Sequence, residues 1–400
     1  MTTLISLLGK SSANQSTGYR TATYRFSPDF TRQVPFFGMG LLDYLKPDRL
    51  ILVGTPGSMW DVFFDHQQTD EDATLALIDA VANAAVTPEL LAIHEERLSE
   101  KYGIPVECLL IPYARDEAEQ AGVLMSLAEV MAAGENVVLD VTHGFRHLPM
   151  LALVAARYLT HIRGVRVQEV YYGALEMTDQ ASQETPVLQL GGMLKMLDWV
   201  DALAVYENSG NYSVFSKLLE ADGMPVQHAS MLAQGAFFER SNNPVRAKEK
   251  LSSVLDEIDK HPGHLGALFK DKLHDHLDWF HRGKRGDWEL ALADRYLARQ
   301  DYLRATIYMY EAFVSHAVMK HGGNINDHES RKEAENIETK AQASGDAWLL
   351  RNLRNQIAHG VRPPQAKNKY EERQNALRHR LLSDSDALDA RLRELRKSLF

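Results

Sequence analysis

Short apolar runs that stop at glycine and alternate with longer helical segments constrain this chain more than any other feature of it. Thr3–Leu8 is apolar until Gly9, Lys10 and Ser11 interrupt it, and Arg49–Val53 ends in the same way at Gly54-Thr55-Pro56-Gly57. The alanine- and leucine-rich stretch from Glu71 to Arg97 reads as helix with a break near Pro88. Val106–Ile111 then reads as strand, Glu117–Ala132 as helix, Asn136–Asp140 as strand and Leu148–Leu159 as helix. Arg166–Tyr172 is a last strand that stops at Gly173. Apolar runs of this length between turn residues suit strands buried on both faces, and the longer segments suit crossover helices. The expected fold is α/β, a Rossmann-like and mainly parallel sheet covered by helices. Such a sheet binds ligands at the carboxyl ends of its strands.

Those ends carry the unusual residues. Gly9-Lys10-Ser11-Ser12 follows the first run, Gly54-Thr55-Pro56-Gly57-Ser58 the second, and Asp140-Val141-Thr142-His143-Gly144 a later one. Glycine permits close backbone approach, hydroxyls and helix-start amides can hold phosphate oxygens, and Lys10 could add a point charge. Each loop alone reads more simply as structural; three together point to a ligand. The Gly-Lys-Ser triplet is not a nucleotide-hydrolysing phosphate loop, because the position that needs a second glycine holds Leu4. There is no dinucleotide-binding glycine fingerprint after the first strand either.

From about Leu190 onward the strand rhythm fades. Helical patterns cover Gly191–Glu207, Pro244–Asp259, Leu265–Trp279, Trp288–Arg299 and Tyr302–Met319. The last carries Tyr302, Ile307, Tyr310, Phe313 and Val314, a broad apolar surface. An all-helical second domain follows, with the boundary expected between Gly173 and Gly192, where Thr178–Thr185 is polar and Pro186 punctuates. The division is residues 1–180 and 181–400.

Composition narrows the class. A chain of 400 residues with 45% apolar and 24% charged residues can build two ordinary cores. The single cysteine, Cys108, excludes an intrachain disulfide framework and cysteine-based zinc or iron–sulfur clusters. No run approaches the roughly 20 apolar residues that span a bilayer, and MTTLISLLGKSSANQ lacks the basic start of a signal peptide. A cytoplasmic protein without a membrane partner is expected. The net charge of −10 argues against a uniformly basic, RNA-coating protein while leaving room for a local groove. His274, His276 and His281 do not follow usual zinc spacings, so solvated or hydrogen-bonded histidines are the simpler reading and no metal is expected.

The sharpest chemical feature is Arg354-Asn355-Gln356-Ile357-Ala358-His359-Gly360, after the amphipathic Asp346–Leu353 and before Val361-Arg362-Pro363-Pro364, where a helix cannot easily continue. Histidine exchanges protons near neutral pH and arginine can grip a phosphoryl group. Five residues apart, the two are not aligned on one helix face; a distorted terminus or a symmetric dimer could join them, and a packed or capping pair is the structural reading. Residues Arg351–Phe400 hold 12 Lys/Arg against 6 Asp/Glu, which suits either a phosphate backbone or an ordinary solvated helix.

With both motifs in view, the chain resembles the CRISPR-associated DxTHG-motif proteins, in which an N-terminal CARF sensor domain precedes a C-terminal HEPN ribonuclease domain. The resemblance rests on Asp140-Val141-Thr142-His143-Gly144 within VVLDVTHGFRHLP, on LISLLGKSS, YRTATYRF and ILVGTP, and on Arg354 and His359 as the Arg-x4-His signature, with Asn355 in its frequent second position. It covers nearly the whole chain. It implies a ribonuclease switched on by a cyclic oligoadenylate, cyclic tetra-adenylate first and cyclic hexa-adenylate as the alternative, with no further cofactor. It implies a homodimer, or a higher even-numbered oligomer, around a two-fold ligand site. Residue by residue, Gly9, Lys10 and Ser11 match the first ligand loop, Thr55 the second, and Thr142, His143 and Gly144 the motif loop, with Phe145 and Arg146 adjoining. Asp140 is expected to order that loop, since a carboxylate beside phosphates repels. Arg354, Asn355 and His359 match the catalytic set for metal-independent cleavage of single-stranded RNA to 2′,3′-cyclic phosphate and 5′-hydroxyl ends. The alternatives are a helical domain that only dimerises or binds RNA, and a sensor pocket that also cleaves its activator.

Overall fold

The computed structural model describes residues 1–10, 19–64, 72–281, 283–341, 345–360 and 365–400. They form two compact units, Met1–Lys195 and Met196–Phe400.

The first unit is built on eight strands: β1 (Thr2–Leu7), β2 (Ala22–Ser27), β3 (Phe30–Val34), β4 (Arg49–Gly54), β5 (Val106–Leu110), β6 (Asn136–Asp140), β7 (Arg166–Gly173) and β8 (Glu184–Gln189). Their order across the sheet is β3-β2-β8-β7-β6-β1-β4-β5. The pairs β1–β4, β1–β6, β4–β5, β6–β7 and β2–β8 are parallel, while β2–β3 and β7–β8 are antiparallel. The expected α/β fold with a mainly parallel sheet is therefore what the chain adopts.

Strand periodicity splits the core into two layers, because successive side chains leave opposite faces. Leu4, Leu50, Leu52 and Val138 face one layer with Phe36, Phe37, Trp60, Leu91 and Leu98. Ile5, Ile51, Val53, Val137 and Leu139 face the other with Val123, Leu127, Ala155 and Leu159. The first layer is supplied by α1 (Phe37–Leu45), α2 (Asp72–Ala82) and α3 (Pro88–Tyr102), the second by α4 (Glu117–Val130) and α5 (His147–Arg163). Thr87 accepts from the Leu90 amide at the start of α3, where Pro88 occupies the first turn without losing a hydrogen bond, so the break expected near Pro88 is a new helix start.

Two departures from the sequence reading concern strands. The hairpin β2–β3 was not anticipated. The segment Thr178–Pro186, read as a polar boundary, contains the start of β8. Pro186 fits because β8 changes partner at that point: Glu184, Thr185 and Pro186 pair with β2, whereas Val187 to Gln189 pair with β7. Its carbonyl accepts from the Ala174 amide at 3.0 Å, and proline's missing N–H falls where one ladder ends.

The second unit is helical throughout its described residues. Its helices are α6 (Gly191–Ser209, which begins in the first unit), α7 (Val214–Ala221), α8 (Val226–Arg240), α9 (Pro244–Lys260), α10 (His264–Leu277) and α11 (Arg285–Ala298). They continue with α12 (Tyr302–Lys320), α13 (His328–Ala341), α14 (Asp346–His359), α15 (Lys369–Leu382) and α16 (Ser385–Leu399). α12 is central, flanked by α11, α13 and α14, and buries residues on every side, including Tyr308, Met309, Phe313 and Val318. Among the described residues no helix is long and apolar enough to cross a membrane.

Candidate functional site

Three strand-end loops meet at the carboxyl edge of the sheet in the first unit. The loop after β1 passes so close to the loop after β6 that a Cβ on Gly9 would stand 2.8 Å from the Gly144 nitrogen and 3.2 Å from the His143 Cβ. Only glycine allows that approach. Gly144 itself has φ +110°, a second position that a side chain would strain. The Gly9 carbonyl accepts from the Met59 amide at 2.8 Å, which fastens the second loop to the first.

Below this junction lies Asp140, fully enclosed at the end of β6. Ser6 donates to one carboxylate oxygen, and the Thr142 amide donates to the other at 2.9 Å. Burial pushes its carboxyl up to about 6, against these hydrogen bonds, which pull it down. Asp140 thus orders the motif loop from beneath. The Thr142 hydroxyl accepts from the Gly173 amide at 2.9 Å, tying the loop to the end of β7. Burial lowers the His143 imidazole to about 4. Its Nε2 accepts from the Phe37 amide at 3.1 Å, which fixes a neutral ring with its proton on Nδ1.

The loops open onto a cavity of about 510 Å³ that Lys10, Arg20, Gln33 and His143 help to line. The hairpin contributes Thr21, Thr23 and Tyr24, and the segment from Leu175 to Thr185 contributes Glu176, Thr178, Gln183 and Thr185. Two cations, several neutral donors and acceptors and few apolar side chains suit a ligand with both phosphates and heterocyclic edges. Glu176 is the opposing charge; a backbone hydrogen bond, the Tyr172 hydroxyl and nearby Arg146 hold its carboxyl below the usual range.

The expected ligand residues therefore divide. Lys10 and His143 line the cavity, while Gly9, Thr142 and Gly144 belong to the loop junction that carries those two residues and do not themselves line it. Thr55 is wholly enclosed: its amide donates to the Ser58 hydroxyl at 2.9 Å, and that hydroxyl donates to the Leu8 carbonyl at 3.0 Å. It supports the first loop from behind and meets no solvent. Phe145 packs against Tyr113, with ring centroids 5.8 Å apart, and Arg146 is exposed at the start of α5. Ser11 lies outside the described residues. The sequence reading missed Arg20 and the hairpin threonines as cavity residues. Alternation of Thr21, Thr23 and Arg25 against Tyr24 and Phe26 before the Ser27-Pro28-Asp29 turn was the available signal.

In the second unit, α14 carries the Arg-x4-His pattern through to its last residue, and Gly360 closes the helix in the left-handed conformation with its amide on the Gln356 carbonyl. His359 is exposed. Arg354 is half-buried with its guanidinium 4.4 Å from the Tyr310 ring centre, and its Nε is buried without a hydrogen-bond partner. Five residues turn a helix by about 140°, so within one chain Arg354 and His359 occupy different faces. Asn355, four residues before His359, shares the histidine's face. His274 faces Asp259 at 2.9 Å and His276 faces Glu207 at 3.1 Å, so these two histidines turn to separate carboxylates. Among the described residues no group of three or more His, Cys, Asp or Glu side chains could hold a metal ion.

Comparison with known proteins agrees with the sheet unit. Residues 3–176 match the family described as "CRISPR system endoribonuclease Csx1, CARF domain". The chain is 26% identical over 304 residues to CRISPR-associated protein MJ1674 of Methanocaldococcus jannaschii, an alignment covering 69% of this chain and 47% of that protein. The chain thus spans about half the length of the curated relative it matches. A solved structure, Enterococcus italicus Csm6 bound to cyclic hexa-2′-fluoro-hexa-dAMP, aligns over 100% of this chain and 94% of its own at 12% identity, with a TM-score of 0.35. A likeness at that level carries nothing about ligand or chemistry. The chain is related to CRISPR-associated proteins, with a CARF-like sheet domain followed by an all-helical domain.

Proposed function

We propose that the chain is a cyclic-oligoadenylate-activated, metal-independent endoribonuclease that cleaves single-stranded RNA in type III CRISPR antiviral defence. The observation that carries this is the combination in one chain: a phosphate- and base-compatible cavity at the carboxyl edge of a CARF-like sheet, and an Arg-Asn-x3-His helix end in a separate helical unit. Cyclic tetra-adenylate is the proposed activator and cyclic hexa-adenylate its alternative. Its phosphates meet Lys10, Arg20 and the Gly9–Gly144 backbone, and adenine edges meet Thr21, Thr23, Gln33 and Gln183.

In the reaction, the RNA 2′-oxygen attacks the adjacent phosphorus as its proton leaves, the P–O2′ bond forms, and the P–O5′ bond breaks. The 5′-oxygen takes up a proton, giving a 2′,3′-cyclic phosphate and a 5′-hydroxyl. His359 serves one of the two proton transfers, Arg354 stabilises charge on the phosphoryl oxygens, and Asn355 orients a phosphate oxygen. The divergence of Arg354 and His359 around α14 supports a site completed by a second copy, in which arginine from one chain and histidine from its partner face one phosphate. A homodimer, or a higher even-numbered oligomer, in the cytoplasm is the proposed working form. Met150, Val154, Tyr158 and Ile162 make a stripe at four-residue spacing along α5, three of them exposed, and we assign this apolar stripe to self-association.

A second reading is favoured by one contact. Arg354 stacked on Tyr310 is also what a packing arginine looks like, and the helical unit would then dimerise or bind RNA without cutting it. Incubating labelled single-stranded RNA with the full chain, EDTA and each cyclic oligoadenylate separates the two. Activated cleavage is expected, falling on the order of 10²–10⁴-fold in His359→Ala. No cleavage under any activator would leave the binding reading, and full activity in His359→Ala would remove histidine from the site.

A further inference from the structure

Arg378, on α15, is 5% exposed, yet no carboxylate among the described residues pairs with it. Several other arginines of this unit meet acids: Arg391 meets Asp346 at 2.6 Å, Arg331 meets Glu311 at 2.6 Å, and Arg285 meets Glu289 at 2.8 Å. Arg378 instead donates to neutral oxygens, the Asn352 side chain at 2.8 Å, the Asn375 side chain and the Gln374 carbonyl at 3.3 Å. Its guanidinium lies 5.0 Å from the Trp348 ring centre. Burial without a counter-charge also holds the Arg378 guanidinium below its ordinary range. A buried cation of this kind is costly to keep. It is held in one orientation by neutral amides, which is how a protein presents positive charge to an anion it does not itself supply.

The space beside it has the matching chemistry. A pocket of about 310 Å³ between α14 and α15 is lined by Trp348, Asn352, Asn375 and Arg378, with Lys367 and Tyr370 at its mouth. Tyr370 is 66% exposed. Glu371 also borders the pocket, but its carboxylate is engaged by the Lys367 amide at 2.7 Å at the start of α15. Asn352 shares a helix face with Asn355 and His359, three and seven residues further on, and about 10 Å of helix separates the pocket from the histidine. That is the reach of one or two nucleotides of an extended strand.

We propose that this pocket is a nucleotide-binding subsite for the RNA strand, with a backbone phosphate on Arg378 and a base against Tyr370. The identity of the strand rests on the RNA-cleaving reading above; the site does not. It gives the enzyme a grip on the nucleotides flanking the cleaved bond through stacking and charge, a mode that tolerates any base.

The test is binding of a labelled oligouridylate to the full chain carrying His359→Ala, read by fluorescence anisotropy without cleavage. Adding Tyr370→Ala is expected to weaken binding about tenfold. Adding Arg378→Gln is expected to weaken it and to lower the slope of log affinity against log salt by about one contact. Should Arg378→Gln fail to fold, Lys367→Gln replaces it, at an exposed position. Unchanged affinity in both Tyr370→Ala and the charge variant overturns the subsite, even if the native chain cleaves RNA. Weakened binding in both, with no cleavage by the native chain, overturns the nuclease reading and leaves the subsite standing.

Discussion

Asp140 and His143, three residues apart in one loop, respond to acid in opposite directions. Asp140 takes up a proton on folding between its ordinary 3.8 and about 6, so its contribution to stability declines as pH rises through that window. His143 gives one up between its ordinary 6.5 and about 4, so its contribution is complete above 6.5 and is lost as pH falls. Near pH 5 the two slopes offset. Urea denaturation at several pH values should therefore show a steeper rise of stability with pH in Asp140→Asn than in the native chain, and a fall with pH added by His143→Gln. Parallel profiles for all three proteins would refute the assignment. Of this loop, the ordering role of Asp140 was readable in the sequence, because a carboxylate among phosphate ligands is unreasonable unless it points away. The enclosure of Thr55 was not readable: nothing in Gly-Thr-Pro-Gly says that Ser58 will fold back beneath it. Arg378 was equally silent, one basic residue among several in a polar helix, since its burial depends on Trp348 and Asn352 from another element.

At the level of elements, the strands that proved legible are those enclosed on both faces. Every residue of β4 is buried, and such strands appear as uninterrupted apolar runs. The hairpin β2–β3 and β8 lie toward the mixed edge of the sheet, where exposed and buried residues interleave and Pro186 resembles a stop. Both turn out to wall the cavity, so the least legible strands supply much of the site. On α14, position depends on a clasp at the opposite end from His359. Asp346 in the first turn accepts from Arg391 at 2.6 Å and from Ser398 at 2.8 Å, both on α16. Through that clasp, with Leu388, Leu392 and Leu395 buried behind it, the C-terminal helix holds α14. Asp346→Ala is expected to cost about 2–3 kcal/mol in chemical denaturation and to lower RNA cleavage more than that loss alone explains. A cost within experimental error would show that α16 is held by its leucines only.

For the whole molecule, a net charge of −10 ceases to argue against RNA once the cations are located. Lys10 and Arg20 gather at one cavity, and Arg354, Lys367 and Arg378 at α14 and α15, so attraction for phosphate is local. If two copies complete the proposed catalytic site, activity must follow association. Val154→Arg, placed on the 55%-exposed centre of the α5 stripe, should lower the dimer fraction in sedimentation and reduce cleavage per chain in proportion. A monomer with native activity would dismiss both the stripe and the shared site. The two-unit plan was legible because the change from strand rhythm to helix is abrupt; the proposal that two copies share the site has only a spacing of five on a helix as its trace in the sequence.

Trp60 gives the sheet unit an optical probe of its own. The other four tryptophans, Trp199, Trp279, Trp288 and Trp348, belong to the helical unit. The Trp60 indole donates to the Thr55 carbonyl at 2.9 Å and presses so closely on Gly54 that a Cβ there would stand 2.7 Å from the ring. Its emission therefore senses the loop that backs the first strand end, next to Lys10, whereas Trp348 sits under Arg378 and senses the other pocket. With the other four tryptophans replaced by phenylalanine in each case, a variant keeping Trp60 alone and one keeping Trp348 alone would follow occupancy of the two pockets separately by quenching, without any label.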